Sequence, residues 1–326
     1  MTKLLACCAL ASFGAVLAAA QRPSPKLLVL DKEEATLAIV DPESGAVLGR
    51  VPTGQQPHEL VATPDGNYAF ASNYGSAQAP GHTISMIDLA AQRAHRLIDV
   101  APLSRPHGLA FAGGRLYFTA EGSQAIARYD PGADRIDWQF HTGQSTTHML
   151  VLTGDPQTIF TSNIGSNNLS WIRQDASGTW TQQLIPVGKG PEGITLSPDG
   201  RRLWSAHSAD GAVSIVDVAT GKVAATVDVG TKRSNRVKLT PDGKYALITD
   251  LDAGDLVVVD AAARTVIKRM PLGRQPEGIL IPPDGSRAFV AVNGDDQVAV
   301  VDLKTWQVTK RLSTGRGPDG MAWTTR

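Results

Sequence analysis

The chain has 326 residues and balances 31 Lys+Arg against 31 Asp+Glu, a formal net charge of zero. That balance gives no support to a nucleic-acid partner, which usually shows as a basic domain, or to a polybasic membrane-surface role. The hydrophobic share of 42% is ordinary for a globular protein, while Gly 32 and Pro 20 exceed average usage and point to many turns.

Residues 1–20 read as a secretory signal peptide. Lys3 supplies the positive end, Leu4 to Leu17 the apolar run, and Ala18-Ala19-Ala20 the small-residue cleavage site. Cleavage before Gln21 removes Cys7 and Cys8, the only cysteines. The mature chain, residues 21–326, is then expected in the periplasm or outside the cell. It would have no disulfide, no thiolate ligand, and no further stretch long enough to span a bilayer.

From Lys26 onward the chain repeats itself. A β-branched run ending in Asp closes at Asp41, Asp88, Asp130, Asp217, Asp260 and Asp302, with a degraded copy at Arg173, so the ends recur 42 to 47 residues apart. Pro-Asp-Gly turns at 64–66, 198–200, 241–243 and 283–285 mark a second phase of the same repeat. Between these markers apolar and polar residues alternate with period two, as strands require. Each repeat therefore predicts four short antiparallel strands, the period of a β-propeller blade. The chain opens in the second strand of a repeat and ends, at 317–323, with a segment matching only a first strand. The ends should complete one shared blade, giving a single seven-bladed all-β propeller over 21–326 with no open sheet edge.

The segments Pro191-Glu192-Gly193 to Trp204 and Pro276-Glu277-Gly278 to Asn293 resemble the YVTN-type seven-bladed propeller family, whose blades also occur in bacterial lactonase-like proteins. The tetrad itself is present only loosely, as Phe70-Ala71-Ser72-Asn73 and Thr161-Ser162-Asn163. The resemblance covers essentially the whole mature chain. It implies a fold, and that fold hosts enzymes, binders and scaffolds alike.

Aligning the repeats puts His58, His107, His148, Glu192, Asn235, Glu277 and Asp319 at the start of the first strand, around one mouth of the central channel. Three histidines in successive blades followed by a carboxylate suit a catalytic divalent metal, zinc first, with copper, iron or calcium as alternatives. In that reading His58, His107 and His148 are the ligands, and Glu192 is a further ligand or general base. The competing reading is that these side chains hydrogen-bond between blades or to channel water. The ends of the second strands give a second ring: Asp31, Asn73, Ala120, Asn163, His207, Asp250 and Val292. From it His207 joins Glu192 as a candidate catalytic residue, and Asn73 and Asn163 as candidate substrate contacts. His82 and His141 are placed near the same mouth, and His95 elsewhere. Lys189, Lys232, Arg233, Arg274, Arg316 and Arg105 fall in the loops before the first strands, with Arg236 beside its start. A basic mouth would draw a small anionic substrate, with Arg236 gripping its carboxylate and Glu277 completing the pocket. The expected function is an exported, monomeric, metal-dependent hydrolase or lyase, lactonase-like in its specific form. The alternative is a non-enzymatic periplasmic ligand-binding or scaffold propeller using the same mouth.

Overall fold

The computed structural model describes residues 24–154 and 158–325; the expected signal peptide and both cysteines lie outside the described residues. Among the described residues, seven antiparallel four-stranded sheets close into a ring. Blade 1 contains Lys26–Asp31, Thr36–Val40 and Val47–Pro52, and receives Pro318–Thr324 as its inner strand. The pairing runs Leu27 to Trp323, Leu28 to Ala322 and Val29 to Met321, so the expected closure by the two chain ends is the closure found. The inner strands of blades 2 to 7 are Pro57–Ala62, Pro106–Ala112, Thr147–Leu152, Pro191–Leu196, Ser234–Leu239 and Pro276–Leu280. No helix among the described residues is long and apolar enough to cross a membrane.

The middle strands of each blade are buried along nearly their whole length rather than on alternate residues. Each sheet carries apolar residues on both faces, because both faces meet a neighbouring blade. One cluster joins Phe70, Ile84 and Ile98 of blade 2 to Leu116, Phe118 and Tyr129 of blade 3. Another joins Phe289 and Val300 of blade 7 to Leu27, Val29 and Val40 of blade 1, with Met321 and Trp323 packed beside them. The core is thus seven wedges between blades, and burial falls away on the outer strands and along the channel-facing stretches of the inner ones.

One irregularity recurs in every blade and positions the channel. Near its start each inner strand bulges: Pro57 faces Asn73 but Leu60 faces Ala71, with the same slip in the other six blades. A bulge inserts an extra residue and leaves a ladder group unpaired. In blades 2, 3, 4 and 6 a hydroxyl on the second strand meets this need. Thr119 Oγ accepts from Gly108 N at 2.8 Å, and Thr249 Oγ accepts from Arg236 N at 3.0 Å. The same hydroxyls donate to the next blade, Thr119 to the His148 carbonyl at 2.5 Å and Thr249 to the Glu277 carbonyl at 3.0 Å. Ser162 likewise donates to the Glu192 carbonyl at 2.8 Å.

Glycine after the bulge allows blades to approach this closely. A Cβ on Gly108, Gly193, Gly278 or Gly320 would sit 2.2–2.8 Å from the carbonyl oxygen of His148, Asn235, Asp319 or His58 respectively. The three blades without that glycine carry Glu59, Met149 and Arg236 there instead.

Candidate functional site

The seven residues expected around the mouth are all found at one position, the second of each inner strand, inside the bulge. They divide into a histidine side and a carboxylate side. His107 and His148 stack with ring centroids 3.8 Å apart, and His58 lies 5.3 Å from His107. Both His107 and His148 are buried.

Two further residues join the histidines. Glu121 follows the second strand of blade 3 and opens a short 3₁₀ turn, Glu121–Ser123. Its carboxylate accepts from His148 Nδ1 through one oxygen and from the Tyr74 hydroxyl, at 2.5 Å, through the other. Because a carboxylate only accepts, His148 donates to it from Nδ1, which leaves Nε2 as the ring nitrogen facing away from Glu121. That Nε2 is buried without a hydrogen-bond partner, and so is Nδ1 of His107. One donor atom from each of His107, Glu121 and His148 lies within 4.8 Å of the others.

The expected ligand set is therefore corrected. His58 is not the third member of this group; its Nδ1 donates to the Gln56 carbonyl at 2.8 Å, and its ring rests 4.7 Å from that of Tyr74. Glu121 takes the third place. Glu192 also stands apart, accepting from Asn235 Nδ2 at 2.7 Å.

Burial keeps His58 and His107 neutral. Burial pulls His58 down to about 4, with the charge of Asp319 opposing the fall. Burial holds His107 well below the usual imidazole range, and His148 and His58 push the same way. Burial also acts to raise Glu121, but the bonds from His148 and Tyr74 outweigh it and leave the carboxyl below its ordinary value. Tyr74, raised by burial and by Glu121 to about 12, stays a hydrogen-bond donor.

The opposite side is an ion-pair cluster. Lys32 Nζ lies 2.6 Å from Glu277 and 3.2 Å from Asp319. Arg236 pairs with Glu59 across the channel, and its guanidinium also reaches Asn235 Oδ1 at 3.2 Å. The expectation that Arg236 and Glu277 grip substrate is corrected by this geometry. Both are buried or nearly so and already hold partners of opposite charge.

The second expected ring is misplaced by one residue. Asn73 is buried, donating to Thr83 and Ser85 and accepting from Gly54 N, each at 3.0 Å. Asn163 donates to Asn168 at 2.8 Å and Ser170 at 2.9 Å. His207 is fully buried with Nδ1 3.0 Å from Asp210. These three brace their own loops and do not join the histidines. Successive strand residues face opposite ways, so the residues that reach the mouth are the next ones along: Lys32, Tyr74 and Glu121. His82 and His141 are exposed on the outside, His82 beside Asp99 at 3.0 Å. Of the loop cations, Lys189, Lys232 and Arg233 are exposed, Arg274 pairs with Asp295, and Arg316 with Glu33 and Glu34. Only Arg105 stands by the histidine cluster, its guanidinium 4.9 Å from the centre of the Tyr74 ring.

No family model matches the chain. A stretch of it is 26% identical over 135 residues to the uncharacterized protein YncE of Escherichia coli K12, covering 37% of this chain and 35% of that protein. The chain thus aligns with about a third of the length of the curated relatives it matches. Among solved structures it is similar to the periplasmic gluconolactonase PpgL of Pseudomonas aeruginosa, with a TM-score of 0.75 at 20% identity over 92% of this chain and 99% of that one. It is equally similar to a chain of hydrazine synthase from Kuenenia stuttgartiensis, with a TM-score of 0.74 at 19% identity over 90% and 99%. Proteins named for different activities share this ring at such identities, so what the likeness shows is the fold: the chain is a seven-bladed β-propeller.

Proposed function

We propose that the protein is an exported, metal-dependent hydrolase or lyase that acts on a small carboxylate-bearing substrate at the histidine side of the channel mouth, with lactone opening as the specific reaction. The observation that carries this reading is the pair of buried, unpartnered nitrogens, His107 Nδ1 and His148 Nε2, beside the ionised Glu121. Leaving a buried polar atom unsatisfied costs about 1–3 kcal/mol, and a cation held by these residues offsets that cost. Two imidazoles, with Glu121 behind His148, suit zinc or copper; calcium, which prefers oxygen ligands throughout, is poorly served. When bound, such a metal polarises a carbonyl and acidifies a water.

The chain's own residues prepare the site. Glu121 fixes the His148 tautomer and orients its ring, the role carboxylates commonly play behind metal-bound histidine. Tyr74 anchors Glu121 and remains protonated. Arg105, at the rim above Tyr74, supports the carboxylate-orienting role better than Arg236, which is committed to Glu59. The activity for which the gluconolactonase neighbour is named is compatible with this chemistry.

The non-enzymatic binding propeller remains the second reading, favoured by one observation: the cations nearest the channel axis, Lys32 and Arg236, are already matched by carboxylates. Elemental analysis of protein purified without chelators separates the two. The enzyme reading expects about one zinc or copper per chain, lost together with hydrolysis of an aldonolactone in His107→Ala. A metal-free protein whose stability and ligand binding survive that substitution overturns the enzyme reading in favour of the binding propeller.

A further inference from the structure

Beneath the mouth, on the side of the Pro-Asp-Gly turns, the channel widens into a cavity of about 560 Å³. None of the seven mouth residues lines it. Its lining begins one residue further along the inner strands, with Glu59 and Arg236. These two reach across the channel to each other from blades 2 and 6, and so form the end wall that separates the cavity from the histidine cluster. Beyond them the walls are mainly apolar, with Leu60, Leu109, Met149, Ile194 and Met321 prominent.

One charge in the cavity is unmatched. Glu59 is the only acid among the lining residues, and Arg236 takes it. Lys238, two residues along the same strand as Arg236, also lines the cavity and is half-buried. It has no hydrogen-bond or ion-pair partner among the described residues. Burial holds its ammonium below the usual lysine range, with Glu59 opposing and Arg236 reinforcing the fall. An amphipathic surface lysine would normally send its charged end to water; here the strand turns it into an apolar-walled channel. The cavity volume lies in the range of small-molecule sites, about 300–1,000 Å³, which typically combine apolar walls with a few placed polar groups.

We infer that this cavity is a second ligand site, separate from the mouth, for a monoanion with an apolar body, such as a medium-chain carboxylate whose head group pairs with Lys238. One net positive charge among the lining residues calls for one negative charge, and the walls call for an aliphatic or aryl body rather than a sugar or a polyanion.

Octanoate is a suitable probe, titrated by calorimetry into the full chain, with 1-octanol and acetate as comparators. Octanoate is expected to bind one per chain. Octanol, which keeps the body and lacks the charge, and acetate, which keeps the charge and lacks the body, should each bind at least tenfold more weakly. Lys238→Met should weaken octanoate at least tenfold and leave octanol unchanged, while Lys238→Arg should retain most of the affinity. Octanol binding as tightly as octanoate, octanoate binding undiminished by Lys238→Met, or no saturable octanoate binding would each overturn the proposal. The comparison of probes on the unsubstituted protein decides the matter even where a variant folds poorly.

Discussion

Replacing Lys32 by Met tests the polar ring where its energetics are steepest. Lys32 sits between Glu277 and Asp319, and only 13% of its side chain is exposed, against 14% and 3% for its partners. Burial and the charge of Asp319 lift Glu277 from 4.5 to about 7, with Lys32 holding the rise in check. That rise corresponds to about 3 kcal/mol. A carboxyl raised on folding contributes stability that is complete below its unfolded value and is lost as pH climbs through 7. Asp319 runs the other way: burial opposes its ionisation, but Lys32 and Arg236 outweigh burial, so its contribution disappears only in acid below 3.8. Without Lys32 two buried carboxylates face each other, and breaking a buried pair typically costs about 3–5 kcal/mol out of a total near 5–15 kcal/mol. The loss should be largest at pH 8, where both carboxylates are charged. At pH 5 Glu277 holds a proton in either protein, and the loss should shrink to about half or less. Urea denaturation of both proteins at the two pH values measures this directly. Asp31, also lifted by burial to about 6, tilts both curves equally and cancels in the difference. An equal loss at pH 5 and pH 8, or no loss at pH 8, would refute the reasoning; Lys32→Arg should largely preserve stability.

Three further outcomes are expected. Glu121→Gln removes the negative charge behind His148 and leaves one accepting oxygen for the two donors His148 and Tyr74, so metal affinity should fall about 10–100-fold with the fold intact, read by competition with a chromophoric chelator; unchanged affinity would remove Glu121 from the site. Deleting residues 315–326 strips the inner strand from blade 1, including Ala322 and the Met321 and Trp323 side chains packed on the Phe289 cluster; at about 1.5–3 kcal/mol per large buried side chain, circular dichroism should show no cooperative melt, and a native-like melt would contradict closure by this strand. Gly193→Ala places a methyl 2.7 Å from the Asn235 carbonyl and should cost about 1–3 kcal/mol in a thermal denaturation series, whereas Gly200→Ala, with no atom within 4 Å of its Cβ, should show only the strain of its positive φ.

The blade count, the shared blade and the mouth residues were legible in the sequence because the repeat encodes them locally. A Pro-Asp-Gly turn and an Asp-terminated strand fix the phase of each blade, and the phase fixes which residue opens the inner strand. The second strand was harder to read. Its last residue and the next one both lie at the mouth, but alternation buries one and releases the other, so counting to Ala120 rather than Glu121 exchanged a channel residue for a core residue. Asn73 and Tyr74 were exchanged in the same way. A better signal was present: Asp31, Asn73, Asn163, His207 and Asp250 are polar residues one step inside the loop, the pattern of loop braces. The pairing of Arg236 with Glu59 had no local signature at all. The residues are 177 positions apart and meet only because blades 2 and 6 face each other across a closed ring.

The bulge explains why chemistry collects at this position. In the regular part of each strand, side chains are consumed by packing against the neighbouring blades, and replacing them disrupts a wedge of core. The bulged residues are released from that duty, and in blades 2, 3, 4 and 6 a Ser or Thr hydroxyl of the second strand satisfies the backbone there whatever the side chain is. The fold therefore constrains the backbone of His58, His107, His148, Glu192, Asn235, Glu277 and Asp319 while leaving their side chains free to differ. The residue that follows is constrained differently. Where blades must approach most closely it is glycine; where they do not, Glu59, Met149 and Arg236 extend into the channel. Two of those three form the wall between the histidine cluster and the lower cavity. The same ring can thus carry a histidine–carboxylate donor set on one sector, an ion-pair network on another, and a separate, mainly apolar chamber below, without any change to the blades that hold them.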